Sequence, residues 1–379
     1  MTPISLYIHI PWCIRKCPYC DFNSHKSPEI LPEIAYVDAL LADLRADLAL
    51  YAGSELILQS IFIGGGTPSL FSAQAFERLL TQIQTYMLFD AQIEITLEAN
   101  PGTVEHGRFS DYFALGINRI SLGIQSFHNH HLQRLGRIHD GKQAHQAIEQ
   151  VQQAGFSNFN LDLMHGLPEQ SVQEALDDIQ QAFQHNPSHL SWYQLTIEPN
   201  TLFHKTQPSL PEEHIMADIE EKGMLLLQAQ GYERYEISAF CRNQQKSLHN
   251  MNYWLFGDYF GIGAGAHGKL TSQAPHTIYR TQKHRQPKEY LNPQKPFLAQ
   301  KHRLDTPALI FEFMLNTTRL EQAVAYHLFE ERTGLSVELL MPHLKKAQTL
   351  GLLDLQSHSW QVSPLGRRFT NDLQSLFLF

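Results

Sequence analysis

Cysteine is scarce in this sequence, with only four in 379 residues. A chain with so few cysteines is not a disulfide-stapled scaffold, because such scaffolds are short and rich in cysteine. Cys13, Cys17 and Cys20 nevertheless lie close together in the stretch "CIRKCPYCDF". Clustered thiols in a reducing compartment usually serve metal or redox chemistry. The scarcity of cysteine therefore directs attention to this one stretch.

An excess of positive charge is also lacking. The sequence has 29 Lys and Arg residues against 38 Asp and Glu residues, for a formal net charge of −9. Because the affinity of proteins for duplex nucleic acid comes mainly from neutralising phosphates, a nucleic-acid partner is not predicted.

Long hydrophobic runs are missing as well. No segment reaches the roughly 18 uninterrupted apolar residues needed to cross a bilayer. The first residues, "MTPISLYIHIPWC", lack the basic start, apolar stretch and cleavage site of a secretory signal. We therefore expect a cytoplasmic protein without a transmembrane segment, and leave open peripheral membrane contact and a monomeric or dimeric state.

The sequence does contain a rhythm of short apolar strands and amphipathic helices, which is typical of βα units around a parallel sheet. We predict an α/β fold in which residues 1–270 form a partial (β/α)6 TIM-like barrel; a doubly wound open sheet is the alternative. Residues 271–300 are polar and rich in proline, which predicts a connector. Residues 301–379 are predicted to form a small, mostly helical, winged-helix-like domain. The six predicted strands begin at Ile4, Ser60, Ile93, Asn118, Asn158 and His189.

The spacing Cys-x3-Cys-x2-Cys follows directly after the first predicted strand. Three thiolates on a short loop can hold three irons of a 4Fe–4S cluster and leave the fourth iron open to a ligand. A structural zinc site is the alternative, but it normally needs four protein ligands, and the sequence has no second Cys or His pair at a suitable spacing.

Further polar and glycine residues come at the predicted strand ends. "GGGTPS", Gly64 to Ser69, follows the second strand, and consecutive glycines let the backbone approach a ligand closely. Glu98, Gln125 and Asp162 end three later strands, where barrel enzymes carry their chemistry.

Together these motifs resemble the radical S-adenosylmethionine (SAM) superfamily over nearly the whole chain. The resemblance implies that the open iron chelates the amino and carboxylate groups of SAM, and that an electron from the cluster then yields methionine and a 5′-deoxyadenosyl radical. It implies cluster ligation by Cys13, Cys17 and Cys20. It also implies SAM contacts at Tyr7, Tyr19, Phe22, Gly65, Gly66, Thr67, Glu98, Gln125, Arg137, Asp162 and Thr196, with Tyr7 and Thr196 placed on strands one and six.

Within the superfamily, the sequence resembles the branch that contains oxygen-independent coproporphyrinogen III dehydrogenase and the haem chaperones. The dehydrogenase pattern has a fourth cysteine where this chain has Phe22, and a long extension ahead of its cysteines. "HNMNYW" resembles a His-Asn-x-x-Tyr-Trp motif of the chaperones. This resemblance implies haem contacts at His249, Asn250, Tyr253 and Trp254.

The haem assignment has alternatives. His249 and Asn250 could instead cap a turn while Tyr253 and Trp254 fill a core. Cys241 is interpreted as a buried free thiol, with haem ligation as the other reading.

The resemblance therefore predicts a protein that binds a 4Fe–4S cluster, SAM and haem and passes haem to client proteins with the help of an electron donor. Coproporphyrinogen dehydrogenation is the second hypothesis and RNA modification the third.

Overall fold

The largest element of the protein is a 12-stranded mixed sheet. The structure is a computed structural model, and it describes residues 1–51, 55–102, 108–273 and 276–378. Its strands are β1 (Thr2–Ile10), β2 (Trp12–Cys13), β3 (His25–Lys26), β4 (Leu56–Gly65), β5 (Leu88–Ala99), β6 (Arg119–Gln125), β7 (Phe159–His165), β8 (His189–Gln194), β9 (Glu233–Arg234), β10 (Ala239–Cys241), β11 (Tyr259–Ile262), β12 (His267–Gln273), β13 (His276–Lys283), β14 (Leu298–Arg303), β15 (Val324–Ala325), β16 (Leu353–Leu355) and β17 (Ser359–Val362).

Helices follow most of the strands. They are α1 (Glu33–Leu50), α2 (Ala73–Tyr86), α3 (Arg108–Ala114), α4 (Asn129–Arg134), α5 (Gly141–Gln153), α6 (Val172–Phe183), α7 (Leu202–Thr206), α8 (Glu213–Ala229), α9 (Leu248–Trp254), α10 (Pro287–Tyr290), α11 (Thr306–Thr317), α12 (Tyr326–Thr333), α13 (Met341–Thr349), α14 (Pro364–Arg368) and α15 (Thr370–Ser375). In the described part of the chain, no helix combines the length and the apolar character needed to cross a membrane.

The strand order of the main sheet is β14-β13-β12-β11-β1-β4-β5-β6-β7-β8-β10-β9. From β1 to β8 the neighbouring strands are parallel and follow the order of the sequence. A doubly wound sheet would reverse its strand order instead. The sheet therefore forms a partial barrel, as the sequence predicts, with β1 and β4–β8 as the six predicted strands.

The side chains of β1 alternate between the hydrophobic core outside the barrel and the interior of the barrel. Ile4, Leu6 and Ile8 are fully buried in the main hydrophobic core, which also contains residues of α1 and α2. The residues between them face the inside of the barrel, since successive side chains of a strand point to opposite faces. There Ser5 accepts a hydrogen bond from Ser60 on β4 at 2.7 Å. The face of β1 and β4 inside the barrel therefore carries polar side chains.

The segment 271–300, predicted as a connector, is part of the main sheet. β12 and β13 pair antiparallel and extend the sheet beyond β11. The ammonium of Lys283 on β13 is buried and donates hydrogen bonds to Asp43 and Asp47 on α1, the second at 2.7 Å. This ion-pair group corrects the expectation of a polar linker, because linkers do not supply buried charges to a core. The domain boundaries at 270 and 301 stay a prediction.

The C-terminal part has its own hydrophobic core, in which Phe313, Phe329 and Trp360 are fully buried. Helices α11 to α13 surround this core, and a small antiparallel sheet of order β15-β17-β16 closes it. This arrangement confirms the predicted helical, winged-helix-like domain, with the β16–β17 hairpin as its wing.

Candidate functional site

A cavity of about 310 Å³ lies at the C-terminal ends of the barrel strands. It brings together every predicted cluster and SAM residue except Tyr7. Those residues are Cys13, Cys17, Cys20, Tyr19, Phe22, Gly65, Gly66, Thr67, Glu98, Gln125, Arg137, Asp162 and Thr196. Tyr7 lies deeper in the barrel, where its hydroxyl is 2.9 Å from Nδ1 of His9.

The cysteine loop is held at both ends. β2 pairs with β3, so that Cys13 stands beside Lys26. Further along the loop, the backbone oxygen of Asn23 accepts a hydrogen bond from Nε2 of His9 at 2.9 Å. The amide of Asn23 in turn donates to the backbone oxygen of Ala264 at 2.8 Å. Buried barrel residues therefore position a loop that the sequence shows only as a run of cysteines.

The three thiols of this loop are free and half-buried. Burial raises the pKa of Cys13 and of Cys20, although a hydrogen bond from the Phe22 backbone lowers the pKa of Cys20 in part. Cys241 is fully buried on β10 and does not line the cavity. The cavity therefore offers three cysteine ligands.

The spacing of the thiols argues against a single zinc ion. Tetrahedral ligands about 2.3 Å from one zinc lie roughly 3.8 Å apart. Among the described residues, the group of ligand atoms that all lie within 4.8 Å of one another is His130, His131 and Glu174, which does not include the cysteines. A cluster does not require the thiols to converge on one point, because its cysteines bind different irons.

Glycine is required at the end of β4. Gly65 has φ of +114°, and a Cβ there would lie 2.5 Å from the ring of His9. A Cβ on Gly66 would lie 2.6 Å from the backbone oxygen of Trp12. The N–H of Gly65 donates to Oε2 of Glu98 at 3.0 Å. The "GGGTPS" turn therefore fits closely between the cysteine loop and the acidic side of the cavity.

Two partly buried carboxyl groups, those of Glu98 and Asp162, form that acidic side. Burial and, to a smaller extent, nearby Asp162 raise the pKa of Glu98 to about 7, against the opposing effect of the Gly65 N–H. Burial also raises the pKa of Asp162, which accepts hydrogen bonds from Asn160 at 2.8 Å and from Ser121 at 3.1 Å. A cationic or hydroxyl-bearing ligand would therefore be stabilised here.

Gln125 has an unusual backbone for a residue with a side chain. Its φ is +69°, and the register between β6 and β7 shifts between Gly123 and Gln125. Such conformations cost energy and concentrate at functional sites. The side chain points into the cavity and accepts a hydrogen bond from the Tyr193 hydroxyl at 2.7 Å. Tyr193 is a cavity residue that the motif reading missed.

Arg137 joins the two sides of the cavity. Its guanidinium donates to the backbone oxygen of Gly123 at 2.7 Å, to Asn100 and to Sγ of Cys17. Asn100 was also missed, although it follows Glu98 closely in "LEANP", and it donates to Thr67 at 3.1 Å. Nε of Arg137 is buried and has no hydrogen-bond partner in the described residues, which leaves a donor for a ligand.

Thr196 was predicted to lie on the sixth strand. It lies beyond that strand, because β8 ends at Gln194. Gln194 and Thr196 both line the cavity described above, which we call the SAM-type cavity. They also line a second cavity of about 640 Å³, which we call the basic cavity. The basic cavity is lined by Gln194, Thr196, Ile237, Trp254, Leu315, Asn316, Arg319, Arg367, Arg368, Phe369, Thr370, Asn371, Asp372 and Gln374.

Arginine and tryptophan dominate the chemistry of the basic cavity. The Arg319 guanidinium lies 4.3 Å from the ring centre of Trp254, a cation–π contact. Arg319 also donates to Glu236 at 2.8 Å. Nε1 of Trp254 and Nε of Arg319 are buried without a hydrogen-bond partner among the residues that the structure describes.

The "HNMNYW" motif lies in α9, which contacts β4 through Ser60 and β5 through Glu94. His249 is 1% exposed. Its Nδ1 lies 3.0 Å from the Ser60 hydroxyl and its Nε2 lies 2.9 Å from the Tyr253 hydroxyl. Burial lowers the pKa of His249 to about 3, so the imidazole is neutral. Both of its nitrogens are therefore engaged, and His249 lines neither cavity described above.

The remaining candidate haem residues do not all reach one cavity. The backbone N–H of Asn250 donates to the Ser247 hydroxyl in the first turn of α9. Tyr253 and Trp254 line a smaller cavity of about 150 Å³. Trp254 is thus the residue of the motif that reaches the basic cavity. Burial raises the pKa of the Cys241 thiol to about 11, as expected for an unreactive buried cysteine.

Comparison with known families gives two matches. The family described as "Radical SAM superfamily" matches residues 7–182, and "HemN C-terminal domain" matches residues 304–369. The first match contains the cysteines and the acidic side of the cavity. The second covers the winged-helix-like domain.

Curated relatives match over the whole length. The chain is 49% identical over 381 residues to the haem chaperone HemW of Haemophilus influenzae, which covers 100% of this chain and 98% of that protein. It is 48% identical over 378 residues to the haem chaperone HemW of Escherichia coli, covering 100% and 99%.

A solved structure has the same fold. Coproporphyrinogen III oxidase (HemN) from Escherichia coli, described as a radical SAM enzyme, matches with a TM-score of 0.83 at 22% identity and covers 99% of this chain and 90% of that one. At this identity the likeness establishes the fold.

Proposed function

The chain belongs to the radical SAM superfamily and, within it, to the HemW family, and from this premise we propose that it is a haem chaperone that holds a 4Fe–4S cluster, SAM and haem and delivers haem to client proteins. The observation that carries the proposal is the convergence of three free cysteines and the predicted SAM residues in one cavity. We place the protein in the cytoplasm, with an electron donor as a further partner.

Cys13, Cys17 and Cys20 would hold the cluster, which supplies an electron and one open iron for the amino and carboxylate groups of SAM. The chain's own residues supply the rest of the binding. Glu98 and Asp162 provide carboxylate oxygens for the hydroxyl and cationic groups of SAM. Arg137 provides a charged donor for a carboxylate, and its buried free Nε supports this role.

We propose that haem binds in the basic cavity. Haem is a flat apolar macrocycle with two carboxylates, so it fits a site with aromatic faces and guanidinium groups. Trp254 and Phe369 offer the apolar surfaces, and Arg319 and Arg368 offer the charges. Gln194 and Thr196, which line both cavities, would bring one haem edge beside the SAM site.

In this proposal His249, Asn250 and Tyr253 do not contact haem themselves. They belong to α9, whose last residue, Trp254, lines the basic cavity. His249 could ligate iron only after Tyr253 releases its Nε2, because that nitrogen is engaged at 2.9 Å. Haem ligation by His249, which the resemblance implies, and haem binding in the basic cavity therefore predict different effects of single substitutions.

Haem titration of the cluster-loaded protein tests this proposal. Arg368→Gln and Trp254→Leu should weaken haem binding and slow transfer to an apo-client. Arg332→Gln, on α12 outside the cavity, should leave both unchanged. Unaltered haem affinity in Arg368→Gln and Trp254→Leu, combined with lost binding in His249→Ala, would place haem at α9 instead.

Coproporphyrinogen dehydrogenation is the second candidate, favoured by the shared fold with HemN. Both activities can be measured on the same anaerobic preparation. We expect haem transfer and no consumption of coproporphyrinogen. Protoporphyrinogen formation without haem transfer would overturn the chaperone proposal.

A further inference from the structure

A second set of ligand-type side chains lies outside the barrel, between α4 and α6. His130 and His131 belong to α4, and Glu174 belongs to the first turn of α6. One ligand atom from each of the three lies within 4.8 Å of the other two. None of them lines the SAM-type or the basic cavity.

His131 is the unusual member of this set. Its side chain is 0% exposed. Neither ring nitrogen has a hydrogen-bond partner in the described ranges, and its Nε2 lies 3.7 Å from Oε2 of Glu174, too far for a hydrogen bond. Buried polar groups are normally satisfied, because an unmade hydrogen bond costs free energy. The nitrogens of His131 therefore call for a partner.

Glu174 is fixed in place by the start of α6. Its Oε2 accepts hydrogen bonds from the backbone N–H of Ser171 at 2.8 Å and from the Ser171 hydroxyl at 2.7 Å. This is the capping box of α6. Oε1 remains on the side of α4, 3.0 Å from Nε2 of His130.

The imidazoles are also crowded together. The ring centres of His130 and His131 are 4.0 Å apart, and those of His128 and His131 are 5.9 Å apart. His128 has its own carboxylate, since its Nε2 lies 3.1 Å from Asp177. His130 and His131 therefore share the one carboxylate of Glu174, and protonating both rings would place like charges in contact, so Glu174 alone does not satisfy the pair.

We propose that His130, His131 and Glu174 bind one divalent transition-metal ion of the Zn²⁺ class. Two imidazole nitrogens and one carboxylate oxygen form a donor set that suits zinc, with water in the fourth position. The site is distinct from the three cysteines, which offer only thiolates and line the SAM-type cavity.

The metal would tie α4 to α6 and so act on the neighbouring SAM site. α4 ends at Arg134, three residues before Arg137, and Arg134 already bonds to the backbone oxygen of Pro168 at 2.9 Å. Fixing α4 against α6 restricts the segment that carries Arg137 into the cavity. The metal is thus a positioning element for that arginine.

A Zn²⁺ titration of the anaerobic, cluster-loaded protein, in competition with a chromophoric chelator, tests the proposal. Loading the cluster first occupies the thiolates. We expect one Zn²⁺ per chain in addition to the cluster. Because even outer-shell changes cost metal sites 10–100-fold, His130→Ala and Glu174→Gln should each lower the affinity by on the order of 100-fold.

The variants keep the fold. His130 is 49% exposed, and Gln can replace Glu in a capping box. His145→Ala is the matched control, since His145 contacts His185 at 2.7 Å on the same side of the barrel without belonging to the cluster. Its Zn²⁺ affinity should be unchanged.

Co²⁺ in place of Zn²⁺ gives a second readout. We expect d–d bands without sulfur charge-transfer absorption, and their loss in His130→Ala. The absence of stoichiometric Zn²⁺ binding, or equal affinity in His130→Ala, Glu174→Gln and the parent protein, would overturn the proposal. Neither readout depends on haem, so a failed chaperone assay leaves this test intact.

Discussion

Nη1 of Arg137 donates a hydrogen bond to Sγ of Cys17 across 3.8 Å, although 120 residues separate the two along the chain. The same guanidinium holds the backbone oxygen of Gly123 at the end of β6. Burial lowers the pKa of Arg137, but nearby Tyr19 and Cys17 raise it above its usual value, so the group stays charged. One side chain therefore links the cysteine loop to the barrel strands and supplies positive charge beside a thiol.

Replacing Arg137 by Lys should weaken SAM binding to the cluster-loaded protein by about tenfold, which is about 1.4 kcal/mol. Lysine keeps the charge but loses the planar fork that reaches Gly123, Asn100 and Cys17 together. Equilibrium titration with SAM measures the effect. Arg78→Lys is the control, because Arg78 on α2 forms an exposed ion pair with Asp38 and does not line the cavity. Equal affinities in all three proteins would contradict the assigned role.

SAM affinity should depend on pH through Glu98. The pKa of Glu98 is raised to about 7 by burial and by Asp162, so the carboxylate gains a proton as the pH falls below about 7. The protonated form attracts the cationic groups of SAM less, and the affinity should therefore fall on the acidic side. Titrations at several pH values measure this in the parent protein and in Glu98→Gln.

Glu98→Gln should bind SAM more weakly at alkaline pH and lose the part of the pH dependence centred near 7. Glu77→Gln, an exposed change on α2, should keep the parent profile. A Glu98→Gln profile that parallels the parent would remove Glu98 from SAM recognition.

Phe22 should be replaceable without loss of the cluster. Its side chain is 60% exposed, and its contribution to the thiols is a backbone hydrogen bond to Cys20 that any residue can make. Phe22→Cys creates the Cys-x3-Cys-x2-Cys-x-Cys pattern. We expect unchanged iron and sulfide content, an unchanged response of the cluster's EPR spectrum to SAM, and no coproporphyrinogen consumption.

Phe22→Ala serves as the control for the loss of the aromatic ring. If Phe22→Cys alone stops responding to SAM, the new thiol has taken the open iron. That result would mean that the residue at position 22 decides access to the cluster.

Lys283→Met should destabilise the protein by about 3–5 kcal/mol, because it leaves two buried carboxylates without their cation. Burial already raises the pKa of Asp43 to about 6, even though Lys283 opposes this. A raised pKa in the folded state means that stability is lost as the pH rises through that value. The destabilisation should thus be larger at about pH 8 than at about pH 5.

Denaturant unfolding at both pH values measures this. Lys301→Met, on the exposed strand β14, should change stability by less than about 0.5 kcal/mol. The triple variant Asp43→Asn, Asp47→Asn, Lys283→Met should recover part of the loss. Unchanged stability of the Lys283→Met protein would contradict this and would show that the segment 271–300 does not contribute to the core.

The sequence was sufficient where local pattern determines geometry. The two-residue period of β5 places Glu98 opposite Ile95 and Leu97, and the cysteine spacing places three thiols on one loop. It was insufficient where chain segments far apart meet. Asn100 and Tyr193 act through Arg137 and Gln125, and no local pattern reveals those partners.

Two features of the structure that the sequence does not reveal have the same origin. Lys283 lies in a polar, proline-rich stretch, yet its buried partners are on α1, some 240 residues earlier. His249 matches a haem-type motif, but Ser60 and Tyr253 engage both of its nitrogens inside the barrel. A motif identifies residue types, whereas tertiary contacts decide which atoms are free.

The most direct test of the account is EPR spectroscopy of the reduced, anaerobically reconstituted protein with and without SAM, together with iron and sulfide analysis. We predict one 4Fe–4S cluster per chain, a spectrum that changes when SAM is added, and loss of the cluster in Cys13→Ala, Cys17→Ala and Cys20→Ala. Two results would contradict the account. One is protein that takes up tetrahedral zinc at these cysteines and no iron or sulfide, and the other is a cluster whose EPR spectrum does not change when SAM is added.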